Sequence, residues 1–334
     1  YWTYYNILPD APDADIVLAR LGDIYMRSEP RRLEAATEVY LRAATLYPEK
    51  EGGLISQMRL AENDVLDDPT REEMFTVFDK HGTETPEEVY RRIVLEYPDS
   101  MLAPLAQLKL AMWYLYKGRN NDSIKAVEQF QRRYPNDPQY SHKPHPLLPN
   151  AQATAMEAFK ESVEAFLVQE DQYARIVDLW SSNKSLYDQE ENLDPETRIG
   201  LSQSYWKVGL PGEAIHLIDA LFKRAGMPEH SEEALLLALQ IMLDSQQWQS
   251  IVDLSDRLVH WELSRDTQRE FLYSLALAYE NLNLPERSRD LWAQLSGYQD
   301  SDPSMKAYTH YFMALEARDT DLKAAYDNAQ AALS

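Results

Sequence analysis

Residues Leu102 to Pro135 read LAPLAQLKLAMWYLYKGRNNDSIKAVEQFQRRYP, and the spacing within them decides the fold. Apolar and small residues return at helical intervals, first as Leu105, Leu108, Ala111, Met112 and Leu115, then as Ile124, Val127 and Phe130. Lys117-Gly118-Arg119-Asn120 breaks the two runs, and Tyr134-Pro135 stops the second. The spacing predicts a helical hairpin with no sheet to lean on. Its apolar surface is broader than one hairpin can hide, so the unit needs copies of itself on either side.

The flanking sequence supplies them. Asp15 to Met26 predicts a helix capped by Asp13 or Asp15, with Ile16, Ala19, Leu21 and Tyr25 on its apolar side. After a turn around Pro30, a partner helix runs Leu33 to Tyr47 with Ala36, Tyr40, Ala43 and Ala44, and Pro48 ends it. The next unit is irregular. A helix over Leu54 to Leu66 is followed by the acidic ENDVLDDPTREE, a short helix near Glu72 to Lys80 and a stop at His81-Gly82. Thr85-Pro86-Glu87-Glu88 then opens a helix that ends on Tyr97-Pro98.

Beyond the quoted stretch, Asn136 to Asn150 (NDPQYSHKPHPLLPN) holds four prolines and predicts a hinge or an ordered strap. Hairpins then resume as Ala151–Gln169 with Tyr173–Ser182, Pro195–Val208 with Glu213–Ala225, and Ser231–Leu243 with Trp248–Trp261. Asp266–Leu282 with Glu286–Leu295 and Pro303–Ala317 with Leu322–Leu333 complete the series. The expected organisation is a sub-array over 1–140 with an insertion near 62–85, a strap at 141–150, and a second sub-array over 151–334. About nine units of roughly 34 residues would fill the chain; seven or eight are recognisable.

Three copies carry a common frame: Ala111, Tyr114, Gly118, Ser123, Val127 and Pro135; Ser202, Tyr205, Gly209, Ala214, Ile218 and Leu221; Ala276, Tyr279, Asn283, Ser288, Trp292 and Leu295. In this the chain resembles the tetratricopeptide-repeat superfamily. Small residues let paired helices approach, and aromatics fill the gaps between hairpins. The resemblance implies an all-α superhelical solenoid that binds other proteins. Within Val89 to Pro138, YRRIVLEYPDSMLAPLAQLKLAMWYLYKG followed by RRYPNDP looks like the bacterial envelope branch, that of outer-membrane assembly lipoproteins and cell-division coordinators. That similarity implies a periplasmic or envelope setting; the alternative is cytoplasmic.

Composition narrows the task. A net charge of −22 argues against nucleic acid, which must be met by clustered Lys and Arg, and equally against an anionic membrane surface. The absence of cysteine excludes disulfides, thiolate metal sites and cysteine nucleophiles. No apolar run approaches the ~20 residues of a membrane span. The chain opens on Tyr1 rather than Met and reads as a fragment or processed product; its YWTYY start is expected to pack as a helix seam, the alternative being the interfacial end of a preceding membrane segment.

Catalytic motifs are not found: there is no phosphate loop, G-x-S-x-G or H-E-x-x-H. His142 and His145 fall short of a metal site, and the acidic run Asp188 to Glu196 lacks the glycine turn of a calcium loop. His216, His260 and His310 are expected to be partly buried structural residues. The expected function is a non-catalytic scaffold without metal or cofactor. Its partner would meet a concave face lined by Leu108, Met112, Tyr116, Gln203, Trp206, Leu239, Met242, Tyr273, Leu277 and Glu280. Relatives that clamp acidic tails need Lys where this chain has Leu108, Ile199, Leu235 and Tyr273, so an apolar or amphipathic segment is the expected ligand. Self-association through the chain ends is one alternative. A glycan-binding envelope protein, suggested by seven Trp and 21 Tyr, is another.

Overall fold

The computed structural model describes residues 1–61, 85–169, 172–187, 193–222, 230–258, 260–298 and 300–333. Among them lie seventeen helices and no strand; a single bridge joins Asn136 to Pro144. In order they are α1 (Trp2–Ile7), α2 (Ala14–Arg27), α3 (Leu33–Leu46), α4 (Glu51–Ala61), α5 (Pro86–Glu96), α6 (Ala103–Tyr116), α7 (Asn120–Arg133), α8 (Leu148–Leu167) and α9 (Tyr173–Asn183). There follow α10 (Pro195–Lys207), α11 (Pro211–Phe222), α12 (Ser231–Asp244), α13 (Trp248–Leu258), α14 (Arg265–Asn281), α15 (Pro285–Leu295), α16 (Pro303–Ala317) and α17 (Leu322–Ala332). Among the described residues the chain is all-α, a series of helical hairpins. The expected short helix near Glu72 to Lys80, its stop at His81-Gly82 and the acidic insertion lie outside the described residues, as do residues 188–192 of the Asp188 to Glu196 run.

The quoted frame marks where paired helices cross. Ser123 Oγ on α7 donates to the Ala111 carbonyl of α6 at 2.8 Å, and Ser202 Oγ on α10 donates to the Ala214 carbonyl of α11 at 2.7 Å. The two hydroxyls sit on opposite partners of the same crossing, so one small polar residue on either helix suffices. Four residues earlier, Gln107 Nε2 reaches the Ala126 carbonyl at 3.0 Å and the Arg198 guanidinium reaches Leu217 at 3.3 Å. These buried side chains tie each hairpin at the same register. At the equivalent crossing of α2 and α3, a Cβ on Gly22 would stand 2.3 Å from the Tyr40 ring.

The turns repeat as well. Gly118, Gly209, Gln246 and Asn283 all have positive φ, the last three at a spacing of 37 residues. In each, the next residue's N–H closes back on the helix: Arg119 on Tyr114, Leu210 on Tyr205, Gln247 on Met242 and Leu284 on Tyr279, at 2.8–2.9 Å. This is the Schellman ending, in which a left-handed residue lets two orphan carbonyls be satisfied. Helix starts follow a second rule. Thr85, Asp194 and Asp302 cap α5, α10 and α16, each followed by Pro at the first helical position, and Thr85 with Glu88 forms a full capping box. At α2 the expectation fails: Asp13 makes no cap bond and accepts from Tyr4 Oη at 2.7 Å, while buried Asp15 accepts from the Gly52 N–H at 2.9 Å. Asp15 is drawn off its own helix to hold the start of α4.

The chain divides into two compact units, 1–162 with 180–190, and 163–179 with 191–334. In the first, α1 packs on α2: Tyr5 is buried, and Trp2 Nε1 donates to Tyr25 Oη at 2.6 Å. Phe159, Trp180 and Tyr187 form a ring cluster with centroids 5.1 Å apart, and burial drives the Tyr187 phenol far above its usual pKa. The proline-rich segment is ordered over 136–147, and α8 already begins at Leu148. Asp137 N–H donates to Lys143 and His145 N–H to Pro135, folding the segment onto α7, where His145 meets Phe130 edge-on at 5.3 Å. In the second unit, first helices α10, α12 and α14 pack successively, and each second helix packs on the next first helix over a core of Ile218, Leu235, Ile241 and Ile251.

Candidate partner-binding surfaces

The ten residues expected to line a binding face separate by burial. Leu108, Leu239 and Met242 are buried and belong to the inter-helix core, so they present no surface to a partner. Their helices are covered on several sides, and the helical period marks apolar positions without saying which side a neighbour takes. Tyr273, Leu277 and Glu280 serve the α14–α16 packing. Tyr273 lies edge-on to Trp292 at 6.0 Å and its phenol is pushed up to about 12 by burial. Leu277 packs against the Trp292 cluster, and Glu280 accepts from Trp292 Nε1 at 3.1 Å and from Ser288 Oγ.

Met112, Tyr116, Gln203 and Trp206 are half-exposed, as Tyr273, Leu277 and Glu280 are, and Trp206 also packs against the Ile218–Leu235 core. In the first unit, Tyr116 sits 5.8 Å from Trp113, with the Lys117 ammonium over both rings at 5.1 and 4.5 Å. In the second, Gln203 and Trp206 share one turn of α10, and the Lys207 ammonium stands 4.0 Å over the indole. Each group is a partly wet ring with a cation above it, a surface suited to an aliphatic or aromatic side chain.

A second kind of surface lies in the first unit. A depression of about 680 Å³ opens between α2, α4 and the Tyr-Pro turns, lined by Asp13, Asp15, Glu49, Glu51, Glu96 and Asp99, with Lys50 and Met101. Asp15 and Glu51 are used internally, Glu51 accepting from Ser100 Oγ at 2.9 Å and Met101 N–H at 3.1 Å. The sequence held a sign of it: acids follow both Tyr-Pro stops, as Tyr47-Pro48-Glu49 and Tyr97-Pro98-Asp99. Read only as helix terminators, those stops concealed that two of them meet in space.

The histidines behave differently from expectation. His145 is buried, its Nδ1 accepts from the Leu147 N–H at 3.1 Å, and burial lowers its pKa. His142 packs its ring against Tyr140. His216 and His260 are exposed rather than partly buried, while half-buried His310 pairs its Nδ1 with Asn328 Oδ1 at 2.9 Å. Among the described residues no group of three His, Asp or Glu side chains is arranged to hold a metal ion, and no helix is long and apolar enough to cross a membrane.

No family model matches the chain, and no curated protein sequence matches it. Among solved structures it is similar to a chain in the crystal structure of the APC/C hetero-tetramer Cut9-Hcn1, at 12% identity and a TM-score of 0.34. The alignment covers 98% of this chain and 53% of that one, so this chain spans about half the length of its structural neighbour.

Proposed function

We propose that the chain is a non-catalytic scaffold that holds a partner protein on the outward faces of its first helices. The observation that supports this is the division of labour within the α6/α7 and α10/α11 hairpins. Gln107, Ser123, Arg198 and Ser202 are buried in crossings, whereas Met112, Tyr116, Gln203 and Trp206 stay half-exposed on the same hairpins. A repeat that spends its polar side chains on its own ties and leaves rings and amides outward suits recognition of an apolar or amphipathic segment. The acidic depression would add preference for a segment bearing Lys or Arg. The bacterial envelope or secretion-related setting rests on the Tyr-Pro junctions of Val89 to Pro138.

Gln203→Arg and Met112→Asp introduce charge at half-exposed positions without touching a crossing. Cross-linking and affinity capture from a source extract should recover a protein with the native chain and lose it with both variants at unchanged melting temperature. Capture that survives both substitutions would remove these faces from the function.

A further inference from the structure

We propose that the strap over 136–147 is a proton-operated latch: neutral His145 pins it to α7, and protonation lets it lift while the α6/α7 hairpin stays folded. The strap has one anchor. From Pro135 to Leu147, His145 is the single buried side chain, 7% exposed, whereas Pro138 through Pro144 are all exposed. Its imidazole lies edge-on to Phe130 with centroids 5.3 Å apart, and 6.4 Å from the Tyr134 ring at the end of the same helix. Elsewhere the strap closes on itself, Asp137 N–H donating to the Lys143 carbonyl at 2.9 Å and Lys143 N–H to Tyr140 at 2.8 Å. The buried contact with the helix is the imidazole's.

Three features of this seat oppose a second proton on the ring. Burial removes the water that would solvate an imidazolium. Nδ1 accepts the Leu147 N–H at 3.1 Å, so a proton placed there turns the acceptor into a donor facing a donor. The ring also stands at the start of α8, a helix of 20 residues, where the Leu148 N–H closes on the His145 carbonyl at 2.9 Å. The positive end of a helix is an unfavourable neighbour for a cation. Nearby charges do little to offset this. Asp137 of the strap pulls weakly the other way. On the α7 side the facing group is the Tyr134 phenol, held above its usual pKa by burial, with Arg133 lowering it and Asp99 raising it. From Leu148 to Met156, α8 carries no charged residue.

In a lifted strap the same ring is in water, where it binds a proton at about pH 6.5. Acid therefore favours the lifted strap by linkage. Between that value and the lower pKa of the seated ring, the lifted fraction rises about tenfold per pH unit. The hairpin beneath has its own ties, Ser123 to the Ala111 carbonyl and Gln107 to the Ala126 carbonyl, and neither involves the strap. Lifting uncovers one edge of Phe130 and leaves the crossing intact.

Hydrogen exchange across a pH series tests the latch on the full chain. With protection corrected for the intrinsic pH dependence of exchange, the amides of 136–147 should lose about tenfold per unit as the pH falls below about 6.5. Amides of α6 and α7 should keep their protection over the same range. His145→Gln retains an acceptor for the Leu147 N–H and does not titrate, so its strap should show protection independent of pH. His142→Gln, on the exposed part of the same strap, should behave as the native chain does. If His145→Gln leaves the strap unprotected at every pH, His145→Phe, which keeps a ring over Phe130, decides instead. Native protection that does not fall, a fall that survives loss of the His145 imidazole, or a fall shared in step by α6 and α7 would each overturn the proposal.

Discussion

Two neighbouring hairpins of the second unit, α14/α15 and α16/α17, carry faces of the same chemistry with opposite fates. On α15, Trp292 is 2% exposed; it stacks on Phe312 of α16 at 4.8 Å, lies edge-on to Tyr273, and has its indole N–H bonded to Glu280. On α17, one turn before Ala329, which matches Trp292 in register, Tyr326 is 68% exposed. An aromatic on a second helix becomes core when a following first helix lies over it. The comparison yields the largest predicted effect: Trp292→Ala should cost about 3–5 kcal/mol, an aromatic core truncation, and lower the melting temperature by on the order of 10 °C. Tyr326→Ala should stay within about 0.5 kcal/mol. Equal losses at the two positions would mean that α16 does not cover α15 as described.

The crossings sharpen the contrast from the inside of a hairpin. Gly22 on α2 meets Tyr40 of α3, which is fully buried and donates to Asp23 Oδ1 at 2.8 Å. Gly22→Ala would place a methyl 2.3 Å from a ring that cannot turn away without breaking that bond. The expected cost is about 1–3 kcal/mol by calorimetry. The α16/α17 hairpin offers Ala314 as a control, since an added methyl there, as Ala314→Val, meets an open groove and should show only the small helix-propensity loss of a β-branched residue.

The turns give a smaller effect, and one of opposite sign. Three of the four left-handed turn residues are Gly118, Gly209 and Asn283, which tolerate positive φ; the fourth is Gln246, at φ 55°. Gln246→Gly should stabilise the second unit by about 1 kcal/mol by relieving the steric cost of an L side chain in that region. Gly209→Ala should destabilise it by a similar amount although no atom lies within 4 Å of the new methyl, because the penalty is in the backbone alone. The α16/α17 turn is built otherwise: Arg318 stays right-handed at φ −51° and Asp321 N–H returns to Ala317. Glycine at Arg318 should therefore bring no gain, and a gain there equal to that at Gln246 would break the distinction.

The repeat itself was legible because its cause is local. Small, aromatic and turn residues recur at fixed offsets, and Ala111 with Ser123 or Ser202 with Ala214 meet where the frame requires. Which exposed faces survive was not legible. Leu108, Leu239 and Met242 share the helical period of Met112, and only the neighbours that close over them make them core. Glu280 reads in sequence as part of a partner-facing lining, yet it receives the Trp292 indole N–H from the partner helix. The acidic depression escaped for the same reason: Glu49 is far along the chain from the neighbouring Glu96 and Asp99, and they meet only after two hairpins stack.

The smallest predicted effect extends the comparison to a hairpin covered by an irregular segment instead of a helix. Phe130 on α7 is fully buried, and part of its cover is the His145 imidazole, held by the Leu147 N–H on Nδ1. Burial holds the His145 pKa below its ordinary value, with Asp137 pulling weakly the other way. In the unfolded chain the ring binds a proton near pH 6.5. As the pH falls through that value, the unfolded state takes up the proton first, so stability is lost progressively from about pH 6.5 down to the folded-state pKa. His145→Phe keeps an aromatic over Phe130 and removes the titration. The difference in melting temperature between native chain and variant should therefore be constant above neutrality and shift in favour of the variant below it. A difference that does not change across that range would mean that the imidazole over Phe130 is as solvated as one in open water, and that the strap does not seal α7 in the way that α16 seals α15.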